Sequence, residues 1–471
     1  MKINSPLEAY KYLPQTNCQE CGQPTCMAFA STLIDRSGKP ADCPPLIKEK
    51  KYAKKLAELE RLLAPEIREV ILGVGDRIAK VGGDDVLYRH KLTFFNKTKM
   101  FFDVTDTMEE AALVERVLKI QNYRKFYVGR NLLLDGIAIR AVSNDPAKFA
   151  AAVKKVVATT ELPVILCSFN PAVLKAGLEV AKDKNPLLYA ANKDNWKEVG
   201  ELALEYKVPV VISAFNDLDT LKSLAKTFAD AGIKDIVLDP GTYPSGKGLK
   251  DSFTNFLKIR RAGIMGDTEI AYPIMAIPLT AWMSGISDPV SASFWETALA
   301  AVFTIRYGDM MLLHSMEPYA TMPTVHLAET IYTDPRSPVA VDSKMYKVGT
   351  PDENSPVLFT TNFALTYYTV ESDLASNDVN CWLLAVDTDG IGVEAAAAGG
   401  QLSADKVKDS FEKSGFDIHK DVTHNTVIIP GLAARLQGDL EDKLESRVLV
   451  GPMDSGRLPG WFEKNWPPKQ K

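Results

Sequence analysis

Four of the chain's six cysteines stand at positions 18, 21, 26 and 43, in the pattern C-x2-C-x4-C-x16-C. Gly22 and Pro24 curl the loop so that several sulfurs can turn toward one centre. Convergent thiolates bind metal, and with no histidine nearby two occupants suit them: a structural zinc or a [4Fe-4S] cluster. Zinc motifs usually pair two short Cys-x-x-Cys knuckles. Three close cysteines with a distant fourth followed by proline, here Cys43-Pro44, is the habit of cubane clusters. Cys18, Cys21, Cys26 and Cys43 are therefore expected to ligate one [4Fe-4S] cluster, with zinc as the alternative.

Residues 1–62 read as the module that positions these sulfurs. Pro6 opens a short helix, and Met27 to Leu33 forms another beside the metal. So small a unit has little core of its own, and ligation supplies much of its stability. The run from Ile47 to Leu59 is charged and amphipathic, either a partner-binding surface or a solvated helix.

Residues 63–330 alternate short apolar strands with helical stretches. Strands are expected at Lys99–Val104, Gly136–Val142, Pro163–Ser168, Pro186–Ala190, Pro209–Ser213, Asp235–Asp239, Pro273–Leu279 and Asp309–His314, with Val70–Gly75 outside the set. Eight β-α units predict a (β/α)8 TIM-like barrel. An open doubly wound sheet is the alternative, because periodicity does not show closure. Asp103, Asp106, Ser143, Asn144, Asn170, Asn192, Asn216, Asp217, Asp239 and His314 fall at the carboxyl ends of these strands, where barrel chemistry sits. Asn and Asp are equally good turn and cap residues there, and a lone histidine is more often structural. Cys167 ends a buried strand and reads as core.

Residues 331–355, with Pro335, Pro338 and Pro351, read as a linker whose flexibility would matter. Residues 356–471 form an α/β domain of Rossmann-like type, with strands at Val357–Phe359, Cys381–Val386, Thr426–Ile429 and Arg447–Val450. Helices follow Asn362, expected as an N-cap, and span Ser403–Lys413 and Leu432–Leu440. Ligands of such sheets bind beyond the carboxyl ends of the strands, here Thr360–Thr366, Gly390–Val393, Pro430-Gly431 and Gly451-Pro452-Met453. Gly390-Ile391-Gly392 is no G-x-G-x-x-G fingerprint, which disfavours a dinucleotide.

Composition excludes several classes. A net charge of −5 offers no basic stripe for nucleic acid, and no apolar run is long enough to span a bilayer. The N-terminus lacks a signal pattern, and six cysteines make no disulfide scaffold, so a reducing cytoplasm is expected.

The opening Met1–Pro14, the cysteine quartet, Phe29-Ala30 and Cys43-Pro44-Pro45-Leu46 resemble the large subunit of the corrinoid iron-sulfur protein, and more closely the gamma subunits of archaeal acetyl-CoA decarbonylase/synthase complexes. The resemblance runs over essentially the whole chain. It implies a corrinoid (cobamide, cobalt) held by Thr360, Thr361, Asn362, Thr366, Gly390, Ile391, Gly392, Val393, Gly451, Pro452 and Met453. It also implies a methyltransferase whose nucleophile is cobalt, with no catalytic side chain. Methyl would pass from a methyl-tetrahydropterin of the tetrahydromethanopterin or tetrahydrosarcinapterin type to Co(I), then to acetyl-CoA synthase, with the cluster restoring Co(II) to Co(I). Implied partners are the smaller delta subunit, as a heterodimer, and the acetyl-CoA synthase subunit. Asp417-Ile418-His419 begins like an axial-histidine motif, but Val422 stands where the motif needs glycine, so His419 reads as a surface residue. Two other readings stay open: a barrel-based pterin methyltransferase using Asp103, Asn144, Asn192 and Asp239, and an electron-transfer scaffold holding only the cluster.

Overall fold

A computed structural model describes residue 3 and residues 5–87, 96–331 and 339–467. They divide into two compact units. One runs to Tyr123 and from Leu134 to residue 331; the other joins Arg124–Leu133 to everything from residue 339 onward.

In the first unit eight parallel strands follow one another around a ring: β1 (Lys99–Thr105), β2 (Gly136–Arg140), β3 (Val164–Cys167), β4 (Leu187–Ala191), β5 (Val210–Ser213), β6 (Ile236–Asp239), β7 (Met275–Ala276) and β8 (Met310–Leu313). Strands such as β3 and β5 are buried at every residue, because helices cover the outside and side chains fill the inside. The sheet closes: Leu238 bridges Ile274 in parallel register, and its N–H donates to the Pro273 carbonyl at 2.8 Å. The barrel reading therefore holds over the open sheet. Only β7 is much shorter than its sequence suggests, since Pro278 lacks an N–H and starts a 3-10 helix, Pro278–Met283. The helices bury one face each. Pro146–Thr159, capped by Asp145, places Phe149, Val153 and Val156 inward.

The strand expected near Val70 is Glu69–Leu72, which pairs antiparallel with Ala79–Gly82. Its alternate residues Val70 and Leu72, with Ala79 and Val81, join the barrel's interior cluster. The Gly73 N–H donates to the carbonyl of Asn185, just before β4, so this hairpin plugs the amino-terminal end and leaves the carboxyl-terminal mouth open to ligands.

The second unit has a five-stranded sheet: β9 (Met345–Val348), β10 (Val357–Thr361), β11 (Cys381–Val386), β12 (Thr426–Ile429) and β13 (Arg447–Val450), in the order β9-β11-β10-β12-β13. All pairs are parallel except β9 with β11. Side chains alternate between two cores, Phe359, Leu384 and Ile429 on one face and Leu358, Leu383 and Ile428 on the other. This is a doubly wound sheet. Successive strands run outward from β10 to one side and from β12 to the other, and this reversal of strand order creates a crevice at the carboxyl ends of those two parallel strands.

Part of the stretch expected as a linker lies outside the described residues, and the described part carries β9, an edge strand of this sheet. The hairpin Lys125–Tyr127/Arg130–Leu132 leaves the barrel sequence to pack in the second unit, where Phe126 meets Tyr368 edge-on at 5.3 Å. No helix among the described residues is long and apolar enough to cross a membrane.

Candidate functional site

The cysteine loop is shaped by three left-handed residues, Asn17, Gln19 and Gly22. Asn17 Oδ1 accepts the Cys26 N–H at 2.8 Å and closes the loop. Cys26 is the first residue of the helix Cys26–Ile34, capped by Thr25, so its sulfur stands where the helix favours negative charge. Cys43 precedes the short helix Pro44–Lys48. Cys26 and Cys43 are buried among Leu13, Phe29, Leu33 and Leu46, Cys21 is half-buried, and Cys18 is exposed.

Burial pushes the Cys43 thiol up, the Leu46 N–H opposes this, and the charges of Cys21, Cys26 and Cys18 each push it up further. The four sulfurs are thus near enough to repel one another as thiolates, a repulsion that protonation or a cationic metal relieves. Among the described residues no group of three or more His, Cys, Asp or Glu side chains is assembled tightly enough to hold a metal ion as it stands. A cubane asks for a looser set than a single ion, one thiolate on each iron. The all-sulfur donors, their shared field and their apolar backing fit it.

The second site lies at the crevice of the C-terminal sheet, a cavity of about 360 Å³. Of the residues expected here, Thr360, Thr366, Val393, Gly451, Pro452 and Met453 line it. Thr361, Asn362, Gly390, Ile391 and Gly392 do not; they build the neighbouring loop. Asn362 is no helix cap. The helix Ala364–Ser376 starts from Phe363, and Asn362 Oδ1 instead accepts the N–H groups of Thr388 and Gly390, both at 3.0 Å. Gly390, at φ 72°, takes a left-handed turn there. Gly431 lets the β12 loop touch that of β13: a methyl group at its α-carbon would lie 2.8 Å from the Met453 nitrogen. Leu365, inside the expected Thr360–Thr366 segment, also lines it, and Thr369, Leu432 and Ser455 do so without having been anticipated. The available signal was their position next to strand ends, with Leu365, Leu432 and Met453 left exposed despite being apolar.

The Thr360 and Thr361 hydroxyl oxygens are buried and have no hydrogen-bond partner among the described residues. An orphaned hydroxyl on a cavity wall fits a polar-edged ligand. Asp454, the lone carboxyl of the lining, accepts the Gly456 N–H at 3.0 Å. With no histidine, lysine or cysteine in that lining, any group-transfer chemistry has to come with the ligand. His419 lies elsewhere, exposed, with Nε2 3.1 Å from the Leu444 carbonyl.

In the barrel, most strand-end residues serve turns. Asp106 accepts from Val142 and Ser143, and Asn170 and Asp217 cap helices. Asn192 accepts the N–H groups of Asp194 and Asn195, and Asn216 accepts from Asn255. Asn144 pairs with Asn170 at 3.1 Å. Asp103 is enclosed by Arg116, Arg140 and His314 Nδ1, at 3.0, 2.7 and 2.7 Å. Burial pushes its carboxyl up, but those partners outweigh it and hold it below the usual range. Cys167 is buried, and that burial pushes its thiol up to about 12.

A thiolate module, a closed barrel and a doubly wound domain whose mostly apolar crevice carries buried hydroxyls define a multidomain α/β protein. The model of the CO dehydrogenase/acetyl-CoA synthase delta subunit family matches residues 69–462, and a model whose description names an Fe-S cluster matches residues 13–45. The acetyl-CoA decarbonylase/synthase complex subunit gamma 2 of Methanosarcina thermophila is 86% identical over 469 residues, covering 100% of both chains. The gamma subunit of Archaeoglobus fulgidus is 52% identical over 100% of both. Among solved structures, dihydropteroate synthase from Thermus thermophilus aligns with 56% of this chain and 100% of its own, at 17% identity and a TM-score of 0.40. The chain belongs to the family of acetyl-CoA decarbonylase/synthase gamma subunits.

Proposed function

We propose that this chain is the methyl-carrying corrinoid iron-sulfur subunit of its complex, working in the cytoplasm. The observation that carries the reading is the buried, unpartnered Thr360 hydroxyl on the wall of the crevice. When bound, a corrinoid supplies a cobalt nucleophile for taking up and releasing methyl, and a [4Fe-4S] cluster supplies the electron that keeps it reduced. The chain's residues then bind and shield. Thr360 and Thr366 offer hydroxyls, Gly451 and Pro452 offer close backbone, and Val393, Leu365 and Met453 exclude water. Thr361, Asn362 and the Gly390–Gly392 loop brace this wall. Cys18, Cys21, Cys26 and Cys43 hold the cluster.

The methyl donor in this reading is a methyl-tetrahydropterin of the tetrahydromethanopterin or tetrahydrosarcinapterin type. The acceptor is the acetyl-CoA synthase subunit, and the delta subunit is the heterodimer partner. Domains at 1–62, 63–330 and 356–471 remain our division of labour, with motion near 331–355 letting one cofactor face several partners.

Titration of cofactor-free protein with cobalamin, followed by its visible spectrum, tests the site. Thr360→Val keeps the shape and removes an unsatisfied hydroxyl, so thermal stability without ligand should stay level or rise. Cobalamin affinity should fall about tenfold. Unchanged affinity would remove Thr360 from the site and with it the main support for the reading.

A further inference from the structure

The charged run from Ile47 to Leu59 is used by neither proposed cofactor site. It folds as short pieces after Cys43: the helix Pro44–Lys48, a 3-10 turn Lys50–Tyr52 and the helix Ala53–Leu63. Leu46 and Leu59 enter the buried cluster that also holds Cys26 and Cys43, so the run is anchored on the thiolate module and turns its lysines outward. Lys48, Lys50, Lys51, Lys54 and Lys55 are all exposed. Lys55 Nζ donates to the carbonyl of Lys11 at 3.2 Å, which brings this further exposed lysine, at the end of the helix Pro6–Tyr10, to the same face. Of these six lysines only Lys51 has an acidic partner among the described residues, Glu49 at 2.5 Å.

A merely solvated helix needs no such pattern. Exposed helices ordinarily mix both signs and pair them along one face, whereas like charges left together cost the fold a little and contribute nothing to it. The sign also runs against the chain. Residues 1–62 carry ten basic and seven acidic residues while the whole chain has a net charge of −5, so the basic surplus sits on the module and the remainder is acidic. Two apolar side chains belong to this surface: Ile47, 50% exposed beside Lys48, and Leu7, 67% exposed one helical turn before Lys11. Cys18 is exposed and Cys21 half-buried, whereas Cys26 and Cys43 are enclosed, so a cluster held by the four has one edge at the surface. A unit of this length has a radius of gyration of about 11 Å, which keeps the lysines and that edge close.

We infer that the lysine face formed by Lys11, Lys48, Lys50, Lys54 and Lys55 is a docking surface for a small acidic protein that carries single electrons. Charge complementarity selects the partner. An acidic molecule is repelled by the remainder of the chain and drawn to this module, so its approach is oriented before contact. Lysine ammoniums are strongly hydrated charges on flexible stems, which suits a brief, salt-sensitive encounter, and Leu7 and Ile47 give that encounter a small apolar core. The reduced partner gives one electron to the cluster and is itself oxidised by one, with no bond made or broken. The inference rests on cluster ligation by Cys18, Cys21, Cys26 and Cys43.

The test uses the full-length chain with its cluster, prepared anaerobically, and flavodoxin as probe, an acidic one-electron carrier whose flavin semiquinone has its own visible band. Calorimetric titration with both proteins oxidised reads binding without electron transfer. Saturable one-to-one binding is expected at low ionic strength, weakening about tenfold or more as salt rises. Combining Lys48→Glu, Lys50→Glu and Lys54→Glu should weaken it about tenfold or more, and the three changes to Gln by less. The pre-reduced chain then passes one electron to oxidised flavodoxin, which takes up one proton as the neutral semiquinone forms. That rate should fall with binding in the charge-reversed variant, while the small cationic acceptor benzyl viologen is reduced at least as fast. Circular dichroism with iron and sulfide analysis shows that fold and cluster survive each change. Binding indifferent to salt or to the three charges overturns the docking face. So does a short DNA duplex that binds as tightly and is lost with the same lysines, since the face would then take any polyanion. Wild-type chain without iron and sulfide removes the cluster reading and this inference with it, whereas a full cluster with charge-insensitive binding removes the docking face alone.

Discussion

Asn362 Oδ1 receives the backbone N–H of Gly390 at 3.0 Å, joining the end of β10 to the turn after β11 across 28 residues of sequence. The same oxygen takes the Thr388 N–H at 3.0 Å and the Thr388 hydroxyl at 3.2 Å. One side chain thus shapes a rim of the crevice, and it does so without entering the cavity.

Asn362→Ala should therefore act as a structural lesion with a binding consequence. Two buried backbone donors lose their acceptor, which costs about 2–3 kcal/mol. Urea unfolding should show this loss, and cobalamin affinity should fall with it. A variant of wild-type stability would mean that the loop holds its shape by other contacts.

Arg260 presents a second clear case. It is fully buried, bonding Asp84 through Nη1 at 2.5 Å and both oxygens of Asp309 through Nη2 at 2.6 Å, while Asp309 also accepts the Ile274 N–H. The triad ties β8 to the closing edge of the barrel. Arg260→Met removes the cation and leaves two carboxylates enclosed, so a loss of about 3–5 kcal/mol is expected. Thermal unfolding of the barrel would measure it. A loss below about 1 kcal/mol would show that water reaches the triad.

Asp239 sets a pH dependence whose sign can be worked out. Its folded value, about 6, lies above the usual carboxylate value, so the native state binds the proton more tightly. Stability contributed here is therefore full at low pH and declines as pH rises through about 6, by up to about 3 kcal/mol. Asp239→Asn removes the decline. The variant should gain on wild type in unfolding experiments between pH 5 and about 7.5 and lose the advantage near pH 4. A difference that does not vary with pH would place the titration elsewhere.

These cases show what the sequence discloses. The cysteine spacing and the eight barrel strands are legible because local pattern carries them: ligand spacing in one, continuous apolar runs between helices in the other. Closure is not local. It depends on Leu238 meeting Ile274, which no periodicity announces. The strand Met345–Val348 hides in a proline-flanked stretch because, as an edge strand with Tyr346 and Lys347 partly in water, it lacks a two-sided apolar run. The hairpin around Val128-Gly129 turns on two left-handed residues, and valine is an unusual choice for one of them. At Asn362 two chemically sound uses competed, a helix cap and a loop clasp, and only the fold brings Gly390 close enough to decide.

The central claim is that one chain holds both an iron-sulfur cluster and a cobamide. Metal analysis with a visible spectrum, on protein purified anaerobically from its native source before and after a strong reductant, tests it most directly. The account predicts about four iron and about one cobalt per chain, with bands that convert to those of Co(I) on reduction. Iron without cobalt would contradict it and leave an electron-transfer scaffold in its place.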